Sequence, residues 1–153
     1  MRNFEKISFE QFKKDVADNL ELYNSYNLPR RKTEFAAAYD FEALEDITIL
    51  PNEIKKIPTG IKAVMNDDEV LLLIDSSSQG FKYNIRMCNQ VGVIDKDYYN
   101  NQDNEGHIWI KLQNEGDKEY NVKKGEGIIQ GMFVNYLTTD DEKKEFDTRK
   151  SNY

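Results

Sequence analysis

The sequence predicts an all-β domain preceded by an N-terminal helix, and three observations lead to that reading. From about Phe35 onward, short apolar runs recur between clusters of turn-forming residues. One run alternates cleanly, with Tyr83, Ile85 and Met87 set against Asn84 and Arg86, the period-two pattern of a half-buried strand. Before Phe35 the apolar spacing changes to three- and four-residue steps, which is helical. The 153 residues fit one domain with a sizeable core.

The helix is expected in an N-terminal extension, residues 1–28. Ser8 followed by Gln11 makes a capping-box pattern, and Phe9, Phe12, Val16, Leu20 and Tyr23 form a stripe interrupted by Lys13, Lys14, Asp15 and Asp18. Pro29 ends any continuation. The β domain follows over residues 29–137, with candidate strands at 35–41, 47–50, 54–57, 61–65, 70–74, 83–88, 91–94, 108–113, 120–122 and 128–137. Pro-Asn, Pro-Thr-Gly, Ser-Ser-Ser-Gln-Gly and Lys-Lys-Gly-Glu-Gly punctuate them. Many short strands at this spacing argue for a sandwich, jelly roll or barrel. Residues 138–153 are polar and are expected to form a mobile tail.

The bulk chemistry excludes several functions. A net charge of −7, with one basic cluster at Arg30-Arg31-Lys32 that reads as a solvated loop, disfavours polymeric nucleic acid as a partner. No apolar run approaches the ~18 residues of a membrane span, and the N-terminus lacks the apolar stretch of a signal peptide. The single cysteine, Cys88, allows no internal disulfide, so a cytoplasmic location is expected. One histidine and one cysteine cannot build a His/Cys metal cage; His107, before Ile-Trp-Ile, is expected at a surface or edge position. Neither a Walker loop nor a GxGxxG fingerprint occurs.

Two segments carry chemistry. Asp95 ends the apolar run Val91-Gly92-Val93-Ile94; a carboxylate held there suits a general base, and equally suits a turn or cap. In Asp75-Ser76-Ser77-Ser78-Gln79-Gly80-Phe81-Lys82, consecutive hydroxyls, backbone N–H groups and a lysine can cradle phosphate oxygens, and the same string suits a surface turn.

Taken in order over about residues 28–137, these segments resemble the motifs of the trimeric dUTP diphosphatases (dUTPases). Ala37-Ala38-Tyr39-Asp40-Phe41-Glu42-Ala43 is similar to motif one, and Ser76-Ser77-Ser78 through Lys82 to motif two. Asn89-x-Val91-Gly92-Val93-Ile94-Asp95-x-Asp97-Tyr98, with Gly106-His107-Ile108, is similar to motif three, and Gly125-Glu126-Gly127-Ile128-Ile129-Gln130 to motif four. Four motifs in register are specific where one would not be. The resemblance implies a distorted jelly-roll, or β-clip, barrel that assembles as a homotrimer, with active sites drawn from more than one subunit. It implies Mg²⁺-assisted hydrolysis of dUTP to dUMP and pyrophosphate. Asp95 would activate the attacking water. Asn89, Val93 and Ile94 would surround the uracil, under a β-hairpin running over about 83–94. Tyr98 would pack under the deoxyribose and exclude a 2′-hydroxyl. Ser76, Ser77, Ser78 and Gln130 would bind the phosphate chain, and Asp40 would support Mg²⁺ through water.

The chain departs from the pattern in four places. Ser76 stands where motif two has arginine, and Gly127 where motif four often has one. Thr148-Arg149 is followed by Lys150-Ser151-Asn152-Tyr153 in place of the family's Gly-rich closing segment. An insertion, residues 99–105, precedes Gly106 and is expected to be an exposed loop. Losing a phosphate cation and a lid lowers turnover. A second reading is therefore a catalytically impaired dUTPase-fold regulator that binds a deoxynucleotide or a protein. The related dCTP deaminases lack the Asp-x-Asp-Tyr string and use a glutamate that has no well-placed counterpart here.

Overall fold

Eleven strands, all paired antiparallel, and three short helices build the domain, in a computed structural model that describes residues Met1–Tyr153. β1 (Asn3–Lys6), α1 (Phe9–Asp15) and α2 (Leu20–Ser25) come first. β2 (Tyr39–Glu42), β3 (Ile47–Ile49), β4 (Ile54–Pro58), β5 (Ile61–Val64) and β6 (Glu69–Ile74) lead to α3 (Ser77–Tyr83). β7 (Ile85–Met87), β8 (Gly92–Ile94), a 3-10 turn (Lys96–Tyr98), β9 (Trp109–Asn114), β10 (Tyr120–Val122) and β11 (Gly127–Asn135) complete the chain. The strands form four small sheets, ordered β1-β5, β10-β3, β2-β11-β6-β8 and β4-β9-β7. Distribution over several bent sheets is how a distorted jelly roll closes around one core.

β6 and β11 form the spine. Six residues of β11, Gln130 to Asn135, face Ile74 to Glu69 of β6, while Leu71, Leu72 and Leu73 pair with Ile94, Val93 and Gly92 of β8. The side chains of Leu71, Leu73, Phe41, Ile128 and Ile129 point inward and are almost fully buried. Burial of each such side chain contributes roughly 1.5–3 kcal/mol.

The N-terminal segment differs from the single helix expected. It opens with a strand, β1, paired to β5 from Asn3↔Val64 to Lys6↔Ile61. A strand of four residues with one inward apolar side chain, Phe4, carries almost no periodic signal. The helical stripe then breaks at Val16, because Asn19 starts a second helix: its side chain accepts from the Leu22 N–H at 3.0 Å. Ser8 caps α1 as expected, accepting from the Gln11 N–H at 3.1 Å. Phe12, Tyr23 and Tyr26 pack together, with the Tyr26 hydroxyl donating to the Gly60 carbonyl at 2.8 Å.

The segment expected as a strand over 35–41 pairs only from Tyr39. The Ser-Ser-Ser-Gln-Gly stretch is a helix, α3, where a loop was expected. Its anchor is Gln79, whose Oε1 accepts from the Ser76 N–H at 3.1 Å and whose Nε2 donates to the Ile128 carbonyl at 2.7 Å. No helix is long and apolar enough to cross a membrane.

Candidate active site

Asp95 follows the last residue of β8 and opens the 3-10 turn. Its side chain makes no cap hydrogen bond, so the carboxylate is left to face outward, with about 44% of its surface exposed. It borders a cavity of about 270 Å³ lined by Asn89, Gly92, Val93, Ile94, Tyr98 and Trp109 among others. β8 can lie flat on β6 there because Gly92 has no side chain; a Cβ would stand 3.0 Å from Leu73 Cβ. Ile94 is buried and Val93 is largely exposed. Tyr98 is buried, and that burial pushes its phenol up.

Asn89 sits at the rim of this cavity in a turn fixed by two bonds, Gln90 N–H to Met87 O at 2.9 Å and Val91 N–H to Asn89 O at 2.7 Å. The hairpin expected around it is absent. β7 pairs with β9 and β8 pairs with β6, so the turn carries the chain from one sheet to another.

The tail is held against the same cavity. Arg149 donates to Asp95 Oδ2 at 2.6 Å and to Asp97 Oδ1 at 2.8 Å; the bond to Asp97 and the two charges hold its guanidinium pKa up. The Ser151 N–H donates to Asp103 at 2.8 Å, and the Tyr153 ring meets Tyr98 edge-on at 5.8 Å. The mobile tail expected from composition is thus docked at its end, because its one arginine meets two carboxylates at the end of β8.

The serines lie elsewhere. Ser76, Ser78 and Lys82 line a second, wider cleft of about 630 Å³ together with Arg30, Lys32 and Asp40. Ser77 is exposed on the first turn of α3. Arg30 and Asp40 exchange backbone bonds of 2.8 and 3.3 Å, which brings the basic segment alongside β2. Gln130 lines neither cleft; its Nε2 donates to the Asp75 carbonyl at 2.9 Å and so braces the approach to Ser76. Burial pushes the adjoining Asp75 carboxyl up, and its Oδ1 has no partner.

Asp40 stands 4.0 Å from the Lys32 ammonium, and no group of three His, Cys, Asp or Glu side chains occurs that could hold a metal ion. Mg²⁺ carried by phosphate oxygens needs only oxygen partners reached through water, and the Asp40 carboxylate is of that kind.

Within one chain the two clefts are apart. Ile94, next to Asp95, pairs with Leu71, and β6 runs on to Ile74, about 10 Å further at roughly 3.3 Å per residue, before the chain reaches Ser76. The geometry therefore gathers Asp95, Asn89, Val93, Ile94 and Tyr98 at one cavity. Ser76, Ser78 and Asp40 gather at another, and Ser77 lies close by on α3.

Several residues around the first cavity escaped sequence reasoning. His107, expected at the surface, is completely buried. Its Nδ1 faces Asp15 Oδ2 at 2.6 Å and its Nε2 accepts from the Gly60 N–H at 2.9 Å, which puts the proton on Nδ1. Burial pushes the imidazole down, against the raising effect of Asp15. The insertion is also less exposed than expected. Glu105 accepts from the Ser8 N–H at 2.6 Å and from Lys62 at 3.0 Å, tying the loop to the start of α1.

Comparison with known proteins places the chain in a family. The dUTPase family model matches residues 24–152. A deoxyuridine 5'-triphosphate nucleotidohydrolase of Lactococcus lactis is 48% identical over 128 residues, 83% of this chain and 85% of that protein. One from Haemophilus influenzae is 33% identical over 114 residues, 72% of each chain. Among solved structures, the dUTPase of Streptococcus mutans superposes with a TM-score of 0.72 at 38% identity, covering 90% of this chain and 98% of that one. A mutant dUTPase from phage phi11 of S. aureus, described with a coordinated structural Mg(II) ion, shares the fold with a TM-score of 0.68 at 18% identity, covering 95% of this chain and 98% of that one. On the family match and the relative nearly half identical to it, the chain belongs to the dUTPase family.

Proposed function

We propose that this chain hydrolyses dUTP to dUMP and pyrophosphate, in a homotrimer that brings the Asp95 cavity of one protomer to the serine cleft of another. The observation that carries the reading is Asp95. Its carboxylate is uncommitted to capping and stands at the rim of a cavity with a turn amide, a glycine floor and a tyrosine wall. The placement of Asp95 and the serine segment in different clefts of one chain supports assembly.

In this reading Asn89 and the backbone beside it read the uracil edge, with Val93 and Ile94 packing the base, and Tyr98 lies under the deoxyribose. Asp95 takes a proton from water as the water oxygen bonds to the α-phosphorus. The bond from that phosphorus to the bridging oxygen breaks, and pyrophosphate leaves. Such a displacement needs positioning and charge neutralisation more than covalent help. Ser76, Ser77, Ser78 and Lys82, with Arg30 and Lys32, face the phosphate chain, while Gln130 steadies the serine segment through Asp75. Mg²⁺ bound to the phosphates supplies charge neutralisation, with Asp40 reaching its water shell. The base and sugar displace Arg149 and Tyr153 on binding. A single unpaired cysteine suits the reducing cytoplasm, the location we assign.

Pyrophosphate release from dUTP, dCTP, dTTP and UTP with Mg²⁺ tests this for the native chain and Asp95→Asn. Release selective for dUTP and lost in the variant is expected. Tight dUTP binding without release in either protein would instead establish the non-catalytic regulator, which the Arg149–Asp95 pair and Ser76 favour. Sedimentation at one protomer mass would refute the shared site.

A further inference from the structure

Tyr98 is held by the very segment that departs from the family pattern. Its hydroxyl donates to the His107 carbonyl at 3.2 Å and accepts from Asn104 Nδ2 at 2.6 Å. The backbone beneath it is gripped too, since Asn101 Nδ2 donates to the Tyr98 carbonyl at 2.7 Å. Asn104 is itself fixed: its Oδ1 accepts from Asn101 Nδ2 at 2.9 Å and from the Gly106 N–H at 3.1 Å. Nδ2 also lies 3.3 Å from the His107 carbonyl and 3.3 Å from Ser151 Oγ. Gly106 closes this turn at φ +89°, where a Cβ would stand 2.8 Å from the Tyr98 carbonyl oxygen. The insertion is a clamp with a rigid back.

Excluding a ribose requires only the bulk of the ring, and the hydroxyl adds nothing to that bulk at the sugar. What the hydroxyl provides is a fixed depth. A hydrogen and a hydroxyl at C2′ differ by one heavy atom, so an aromatic wall separates them only when it is held to within about 0.5 Å.

The geometry points to Asn104 as a positioning residue for sugar selection. Acting through the Tyr98 hydroxyl, it holds the ring where a 2′-deoxy carbon fits and a 2′-hydroxyl does not. The inference rests on the proposed placement of Tyr98 under the deoxyribose. Asn104 touches no reacting atom, but the Tyr98 N–H donates to the Asp95 carbonyl at 3.1 Å, so the same turn carries the general base. A loosened ring therefore costs some turnover on both substrates, and the distinguishing readout is the ratio between them.

Steady-state hydrolysis of dUTP and UTP is compared for the native chain, Asn104→Ala, Asn104→Asp, Tyr98→Phe and the Asn104→Ala/Tyr98→Phe pair, each checked for melting temperature and assembly. Asn104→Ala is expected to narrow the dUTP:UTP ratio of kcat/KM by about tenfold, near the worth of one hydrogen bond. Asn104→Asp, which keeps the Oδ1 bonds but offers the Tyr98 hydroxyl no donor, narrows the ratio as Asn104→Ala does. Tyr98→Phe narrows it as much as Asn104→Ala, and combining the two adds nothing. Equal losses on both substrates, or effects that multiply in the pair, overturn the inference. Should Asn104→Ala not fold, an unchanged ratio in Tyr98→Phe overturns it alone. A native chain that releases no pyrophosphate from dUTP refutes the underlying reading, and this inference with it.

Discussion

The two clefts are built on opposite principles. The cavity beside Asp95 is narrow and half apolar, and the chain's own Arg149 and Tyr153 pack into it. The cleft beside α3 is more than twice as large, with Arg30, Lys32 and Lys82 set against Asp40 and Glu42. A planar base needs shape and few hydrogen bonds, whereas a triphosphate needs mobile charge and water. In the proposed reading the two clefts serve the two ends of one nucleotide when copies of the chain meet.

The sharpest test of that division is to disable each cleft separately. Asp95→Asn should lower kcat by about a thousandfold, within the usual range for a lost general base, and leave dUMP binding nearly unchanged by calorimetry. A variant of the other cleft, Ser78→Ala with Lys82→Ala, should raise the KM for dUTP about tenfold or more, since two contacts to the phosphates are lost, with a smaller effect on deoxyuridine binding. Refolding the two variants together should restore part of the activity that neither shows alone. No recovery in mixed assemblies would break the comparison, because it would locate both halves in one protomer.

A smaller effect separates the clefts by pH. The buried imidazole of His107 lies behind Tyr98, whereas the group behind the serine segment is the Asp75 carboxyl, which burial shifts the opposite way. Its pKa is lowered on folding by burial, so the unfolded chain binds the proton more readily. Stability is fully present above the ordinary value of 6.5 and falls as pH drops below it, by up to ~1.4 kcal/mol per unit, until the folded-state value is reached. Glu105, also lowered on folding, adds a separate loss only below its ordinary 4.5. Urea midpoints at pH 7.5, 6.0 and 5.0 should decline, and His107→Gln should flatten that decline.

The smallest expected effect is at the tail. Arg149 and the carboxylates it joins are a third or more exposed, so each pair is worth about 0–1 kcal/mol. Arg149→Ala should tighten dUMP binding at the Asp95 cavity two- to fivefold, an estimate from the same exposed-pair energies, and should leave pyrophosphate binding unchanged.

What was legible in the sequence was whatever depends on near neighbours. Ser8 capping α1, the alternation through Ile85 and Met87, and the apolar run into Asp95 are all local patterns, and the structure contains each of them. What stayed hidden depends on partners far along the chain. His107 reads as a lone polar residue until Asp15, 92 positions away, and Gly60 satisfy its two nitrogens. The insertion reads as loose until Ser8 and Lys62 bind Glu105. α3 is concealed because Ser-Ser-Gln-Gly has poor helix propensity, and a buried Gln79 bonded to β11 outweighs it. The separation of Asp95 from the serines could not be seen either, since motif order fixes sequence position and says nothing of which end of β6 each one reaches.

β6 therefore behaves as a gauge rod between two workplaces. Adding or deleting one residue would turn Leu71 and Leu73 out of the core and their neighbours into it, so the rod cannot be adjusted in single steps. A change of two residues would keep the faces but move the ends by nearly 7 Å, roughly one phosphate's reach. In the proposed assembly, the length of that one strand sets the scale on which neighbouring copies meet.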